Sequence, residues 1–93
     1  MIPLVDLRQA VLTDHARRQM ARRGLAEADV RDVLQQPGQV ELVRPGRIAL
    51  QKTLSLGTPP RNYMLRVFVD VDRTPPEIVT AYRTSRLAKY RSP

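Results

Sequence analysis

The densest chemistry in the sequence lies between residues 15 and 23, where His15 is followed by Arg17, Arg18, Arg22 and Arg23. Read as a helix at about 100° per residue, His15, Arg18 and Arg22 fall at i, i+3 and i+7 on one stripe. Leu12, Ala16 and Met20 form the neighbouring apolar stripe. One imidazole is then flanked by two guanidiniums. Cleaving RNA without a metal asks for groups of this kind: a base for the 2′-hydroxyl, an acid for the departing 5′-oxygen, and cations for the charge that builds on phosphorus. His15 is the only histidine of the chain, and imidazole is the side-chain group that titrates near neutrality. A ring that only caps or packs the helices is the plainer reading of the same residue.

The closing stretch, E-I-V-T-A-Y-R-T-S-R-L-A-K-Y-R, is the second concentration of candidates. On a strand Tyr82 and Thr84 share a face and Arg83 points the other way, while Arg86, Lys89, Tyr90 and Arg91 follow with no acid after Glu77. Tyrosine stacks on a base or donates a proton, and arginine clamps phosphate. Core packing of Tyr82 beside a solvated basic tail is the alternative. Lys52 adds a charge to the apolar strand face of Ile48, Leu50 and Leu54, so it either snorkels at a strand end or is held in a site. Arg66 shares its face with Met64, Phe68 and Asp70 and is expected in a surface ion pair with Asp70, or on a phosphate.

Carboxylate chemistry is poorly supplied. Asp29 and Asp32 are expected on the exposed side of a helix, and Asp70 and Asp72 approach a turn. Neither pair has a histidine at ligand spacing, so no metal and no cofactor is expected. Glycine-rich phosphate loops and nucleophile elbows are absent as well.

The elements that position these groups are legible from local signals. Thr13 is a suitable N-cap for a helix over Asp14 to Arg23, with Asp14 at the positive end of the helix dipole and Gly24 as the stop. A second helix, Glu27 to Gln36, carries Val30, Val33 and Leu34 on one stripe and ends at Pro37-Gly38. Its weak point is Ala26 at the cap, which forgoes about 1 kcal/mol; Leu25 can staple onto Val30. Beyond Gly38 the period becomes two. Gln39 to Arg44 and Arg47 to Leu54 flank Pro45-Gly46, a type II turn pair, and so predict a β-hairpin. A connection over Ser55 to Asn62 leads to a strand from Tyr63 to Val71, and a turn over Asp72 to Pro76 leads to the last strand, Glu77 to Thr84. Residues 1 to 12 stay open between a short first strand and an approach to a helix, and Ser85 to Pro93 suggests a short closing helix. Two helices followed by four turn-connected strands predict an α+β fold, an N-terminal helical hairpin packed on a four-stranded antiparallel sheet.

Composition narrows the function classes. The 93 residues suffice for one domain, spanning 1–93, with one modest core. Without cysteine there is no disulfide scaffold, thiolate catalysis or thiolate zinc site. No stretch approaches the roughly 20 apolar residues of a membrane span, and the start lacks the long apolar run of a secretory signal. The expected address is the cytoplasm, without membrane partners. The formal charge of +7, from 16 Lys+Arg against 9 Asp+Glu, is carried by 14 arginines and only two lysines. Such a surplus favours a polyanion or an acidic protein as partner, and arginine's planar fork suits phosphate.

The segment T-D-H-A-R-R-Q-M-A-R-R-G-L-A-E-A-D-V-R-D-V-L, with E-I-V-T-A-Y-R-T-S-R-L-A-K-Y, resembles the bacterial domain of unknown function 4258 over about residues 12 to 90. Its members begin with a His-Ala helix, turn at Arg-Gly-Ile/Leu into an acidic second helix, and close on a strand ending in Tyr-Arg-Thr. That family in turn resembles the RelE and BrnT toxins, small basic domains with two helices before an antiparallel sheet, which cut RNA and are silenced by an antitoxin. The resemblance to BrnT rests on R-R-G-L-A-E-A-D-V and on the closing strand, and it implies a RelE/BrnT-like fold. It points to His15, Arg18, Tyr82, Arg83 and Thr84 as catalytic. Arg22, Lys52, Arg86, Lys89 and Tyr90 are added as RNA-binding residues. The sequence departs from the family at Ala26, where a capping Ser is usual, and in the proline-bearing loop from Ser55 to Asn62.

The expectation is thus a metal-independent endoribonuclease of toxin type that cleaves RNA by 2′-hydroxyl attack. Its partners would be RNA and a neutralising antitoxin protein, with self-association left open. A non-catalytic basic module that binds nucleic acid or an acidic protein is the alternative.

Overall fold

The structure is a computed structural model and describes residues 6–86. A 3₁₀ turn at Leu7–Gln9 precedes β1 (Val11–Leu12), α1 (Asp14–Arg23), α2 (Glu27–Gln35), β2 (Gln39–Arg44), β3 (Arg47–Leu56), β4 (Arg61–Asp70) and β5 (Glu77–Thr84). The helix caps follow their sequence signals. Thr13 Oγ1 accepts the Ala16 N–H at 3.1 Å, and Gly24 closes α1 at φ +66°, a left-handed conformation that costs glycine little. Ala26 provides no side-chain cap to α2. In the hairpin turn Gly46 has φ +85°, as the third position of a type II turn requires. A Cβ there would stand 2.5 Å from Asp72 Oδ2. The Gly46 carbonyl also accepts the Val71 N–H at 2.9 Å, docking this turn on the one that precedes β5.

The sheet corrects the four-stranded antiparallel expectation. It is five-stranded and mixed, in the order β1-β5-β4-β3-β2. β1 runs parallel to β5, and the other neighbours pair antiparallel. The added strand has two residues, too few to show a period, and its partner lies at the other end of the chain. The connection expected over 55–62 also shrinks, because Ser55 pairs with Asn62 and Leu56 with Arg61.

The core lies on one face of the sheet. Ile48, Val69 and Ile78 form one cross-strand row and Leu50, Val67 and Ala81 the next. These pack with Leu65 against Ala16 and Met20 of α1 and Val30, Val33 and Leu34 of α2. α1 lies on β5, and α2 on β4 and β3. Burying each large aliphatic side chain contributes about 1.5–3 kcal/mol. The opposite face carries other rows: Gln39, Gln51, Arg66 and Tyr82; Glu41, Ala49, Phe68 and Thr80; Thr53, Met64 and Thr84.

The two sheet edges differ. On the β5 side β1 covers only Glu77 and Ile78. Beyond it α1 takes over, with Thr13 N–H donating to the Ile78 carbonyl at 3.1 Å and Arg23 Nη1 to the Ala81 carbonyl at 2.7 Å. On the other side β2 is the last strand of the sheet among the described residues and pairs with β3. Among the described residues no helix is long and apolar enough to cross a membrane.

Leu65 is fully buried and Leu42 is 44 % exposed. Leu65→Ala is expected to lower unfolding free energy by about 3 kcal/mol and Leu42→Ala by under about 0.5 kcal/mol, compared by urea denaturation.

Candidate functional site

α1 presents its basic stripe to solvent because its apolar residues face the sheet. His15, Arg17, Arg18, Arg22 and Arg23 are exposed, while Ala16 and Met20 are buried. The helix runs along β5, from Thr13 beside Ile78 to Arg23 beside Ala81. Between these ends Gln19 meets the strand, its amide oxygen accepting the hydroxyl of Thr80. His15 belongs to the Ile78 end. Among the described residues it makes no hydrogen bond or ion pair, to Tyr82, Arg83 and Thr84 or to any other. Tyr82 is four residues further along β5 than Ile78, roughly 13 Å at the strand rise of about 3.3 Å per residue. Arg22 and Arg23, at the other end of α1, are closer to its level.

Tyr82 stands in a fixed aromatic-cationic group. Arg66 Nη1 donates to the Tyr82 hydroxyl oxygen at 2.9 Å, and Nη2 donates to a carboxylate oxygen of Glu41. The guanidinium lies 5.3 Å from the Phe68 ring centroid and 5.9 Å from that of Tyr82. The two rings are stacked, 6.2 Å apart at 22°. Arg66 thus meets Glu41 where Asp70 was expected, and its side chain is only 12 % exposed, so this is no loose surface pair. The register explains the choice. Glu41 shares its rung with Ala49, whose small side chain lets the arginine cross β3 diagonally. On the neighbouring rung Gln51 donates to Gln39 Oε1 at 3.0 Å.

Asp70 is taken by Arg47 instead, through Nε at 2.6 Å and Nη2 at 3.1 Å. The carboxylate is 4 % exposed. The bidentate guanidinium holds it below the usual carboxylate range and outweighs burial, which acts the other way.

The remaining candidates are spread over both faces. Arg83 stands 5.0 Å from the Tyr63 ring centroid, on the face opposite Tyr82 and Thr84. Thr84 Oγ1 accepts the Arg86 N–H at 3.1 Å. Lys52 is held by Asp32 of α2 at 2.9 Å, and the carboxylate side chain stays 42 % exposed while engaged in this pair. Lys89 and Tyr90 lie outside the described residues. Among those described, no three His, Cys, Asp or Glu groups gather as a metal site would require.

Ion pairing leaves the positive charge unevenly distributed. Arg8, Arg31, Arg47, Lys52, Arg66 and Arg73 are each matched to a carboxylate. Arg17, Arg18, Arg22 and Arg23 on α1 have no such partner among the described residues, nor do Arg61, Arg83 and Arg86. Arg22, Arg23, Arg61, Arg83 and Arg86 come together at one end of the molecule, because Met64 pairs with Thr84 and the C-terminal turn of α1 reaches Ala81. Asp70, Asp72 and Glu77 occupy the other end.

Residue types alone miss Glu41, Phe68 and Gln19 as neighbours of the candidates. Counting back from the Pro45-Gly46 turn would set Glu41 opposite Leu50; the irregularity between Leu42 and Arg44 moves it to Ala49, which no sequence signal announces.

With its folded-state pKa depressed, ionised Asp70 favours the native state at pH values above the unfolded carboxylate value of about 4. That contribution disappears as acid protonates the folded carboxyl below this value. Asp70→Asn is expected to cost about 2 kcal/mol at neutral pH, and to flatten the acid limb of stability between about pH 5 and pH 2, followed by thermal unfolding.

No curated protein and no solved structure matches this sequence. The helical hairpin, the hairpin of strands and all but the last residue of β5 fall within residues 12–83, which match the family described as Domain of unknown function (DUF4258), and the chain belongs to that family.

Proposed function

We propose that this domain acts on RNA as a metal-independent endoribonuclease of toxin type, with a RelE/BrnT-like fold, neutralised by an antitoxin protein. The observation that carries the reading is the arginine surplus gathered on α1 and around the end of β5, next to the fixed Arg66-Tyr82 group. A polyanion fits that surface, and the groups beside it can transfer protons. His15 acts as base or acid, and Arg18 and Arg22 hold the scissile phosphate. Tyr82, Arg83 and Thr84 complete the site, with Lys52 and Arg86 as lesser contacts. The 2′-oxygen attacks phosphorus as its proton passes to the base. The P–O5′ bond then breaks, the acid protonates the leaving 5′-oxygen, and a 2′,3′-cyclic phosphate remains.

A non-catalytic basic module is favoured by one specific observation: no described contact orients the imidazole of His15 towards Tyr82. That reading predicts binding that weakens steeply with salt and evenly as arginines are removed.

Incubating the protein with total RNA in EDTA separates the two. Catalysis predicts fragments ending in 2′,3′-cyclic phosphate, with His15→Ala and Tyr82→Phe each slower by about 10²-fold or more and still folded by circular dichroism. Undiminished cleavage in His15→Ala removes the imidazole from the mechanism. Binding without scission leaves the module reading.

A further inference from the structure

The hairpin of β3 and β4 outruns its neighbours. Among the described residues, β2 pairs with β3 only as far as Gln51, and β5 pairs with β4 only as far as Met64. Beyond those rungs Leu54 with Tyr63, Ser55 with Asn62 and Leu56 with Arg61 continue as a two-stranded ribbon, closed by residues 57–60. Three rungs at about 3.3 Å per residue carry it roughly 10 Å past the paired sheet. Its helix side is anchored: Leu54 packs on the core, and the Arg83 guanidinium lies over the Tyr63 ring. Its other side shows Thr53, Ser55 and Asn62, all exposed and all able to donate and accept hydrogen bonds without charge.

Charge and polarity decide what this end can hold. No Asp or Glu occurs between Glu41 and Asp70 or after Glu77. Asp32 and Glu41, which reach the rungs below the ribbon, are matched to Lys52 and Arg66. Arg61, Arg83 and Arg86 are exposed and have no carboxylate partner among the described residues. The occupant is therefore anionic. A protein or a bilayer would also need an apolar patch, yet the large exposed hydrophobic residues described, Val11, Leu42 and Val43, lie towards the Asp70 end. A single strand needs open ring faces for its bases, and Tyr63, Phe68 and Tyr82 each already carry a guanidinium. What remains is a duplex, held by its phosphates and read in a groove. The major groove of B-form DNA, about 12 Å wide and 8.5 Å deep, admits a two-stranded ribbon, whereas that of A-form RNA is too narrow for side chains to read.

We infer that the ribbon of β3 and β4 enters the major groove of a DNA duplex, with Thr53, Ser55 and Asn62 against base edges and Arg61, Arg83 and Arg86 on flanking phosphates. The inference goes beyond the RNA reading above, because DNA has no 2′-hydroxyl to attack.

The test is fluorescence anisotropy of the full chain with a short labelled DNA duplex of mixed sequence, beside the corresponding RNA duplex and single-stranded DNA. Three phosphate contacts predict that an about fourfold rise in salt weakens binding about 40-fold. Arg61→Ala is expected to lower that salt dependence by about one phosphate's share, and Asn62→Ala to weaken binding about fivefold or more without changing it. Ser55→Ala repeats the groove test where Asn62→Ala disturbs the turn. Dimethyl sulfate protection is expected at guanine N7, which faces the major groove, and not at adenine N3, which faces the minor one. Four outcomes would overturn the inference: no DNA binding at low salt, equal or tighter binding of the RNA duplex or the single strand, protection at adenine N3, or variants that stay folded by circular dichroism and bind as the parent chain does. No readout involves strand cleavage, so the ribonuclease reading and this one can fail separately.

Discussion

The carbonyl oxygen of Ile78 accepts both the N–H and the hydroxyl of Thr13, at 3.1 and 3.2 Å, while that same hydroxyl oxygen caps α1. One residue thus ends the first strand, starts the first helix and fastens both to the last strand. The consequence runs outward. With its start fixed at Ile78 and Met20 and Ala16 in the core, α1 has one orientation along β5, and Arg17, Arg18 and Arg22 have no direction left but solvent. Gln19 and Arg23 then secure the rest of the strand. Loss of the Thr13 hydroxyl would remove a cap and a tertiary tie together, which couples helix formation to sheet assembly.

The opposite face depends on a different constraint, the rung register. A guanidinium packed between Phe68 and Tyr82 is desolvated, so it requires an anion. Glu41 reaches it only because Ala49 lies between. Three strands therefore meet in one charge-balanced group, and the phenol of Tyr82 is oriented from beneath by a side chain that is itself immobilised.

The elements of this fold announce themselves through local signals: Thr13 and Gly24 around α1, Pro37-Gly38 after α2, Pro45-Gly46 between β2 and β3. The stripe of His15, Arg18 and Arg22 is equally local, and those residues are exposed as a solvated helix face must be. What stayed hidden is whatever depends on distant pairing. β1 exists because Val11 and Leu12 find Glu77 and Ile78, and no periodicity announces a two-residue strand. The partners of Arg66, Asp70 and Lys52 depend on register and on helix placement. An eight-residue connection, where the strands leave only residues 57–60, prevents that register from being counted. Ion pairs between elements are set by the assembled sheet, so residue type names the candidates and the fold chooses among them.

The separation of charge between the ends of the molecule has a kinetic meaning. At the Asp70 end the carboxylates are offset by Arg47 and Arg73, while the guanidiniums at the far end of β5 are not, and this uneven distribution gives the domain a permanent electric dipole. Approaching a phosphate backbone, such a particle is turned by the field before it touches, so more collisions begin with the arginine-rich pole leading. The torque acts over about the screening length, roughly 10 Å at 0.1 M salt, and acid-for-base exchanges that leave net charge unchanged would still alter the encounter rate.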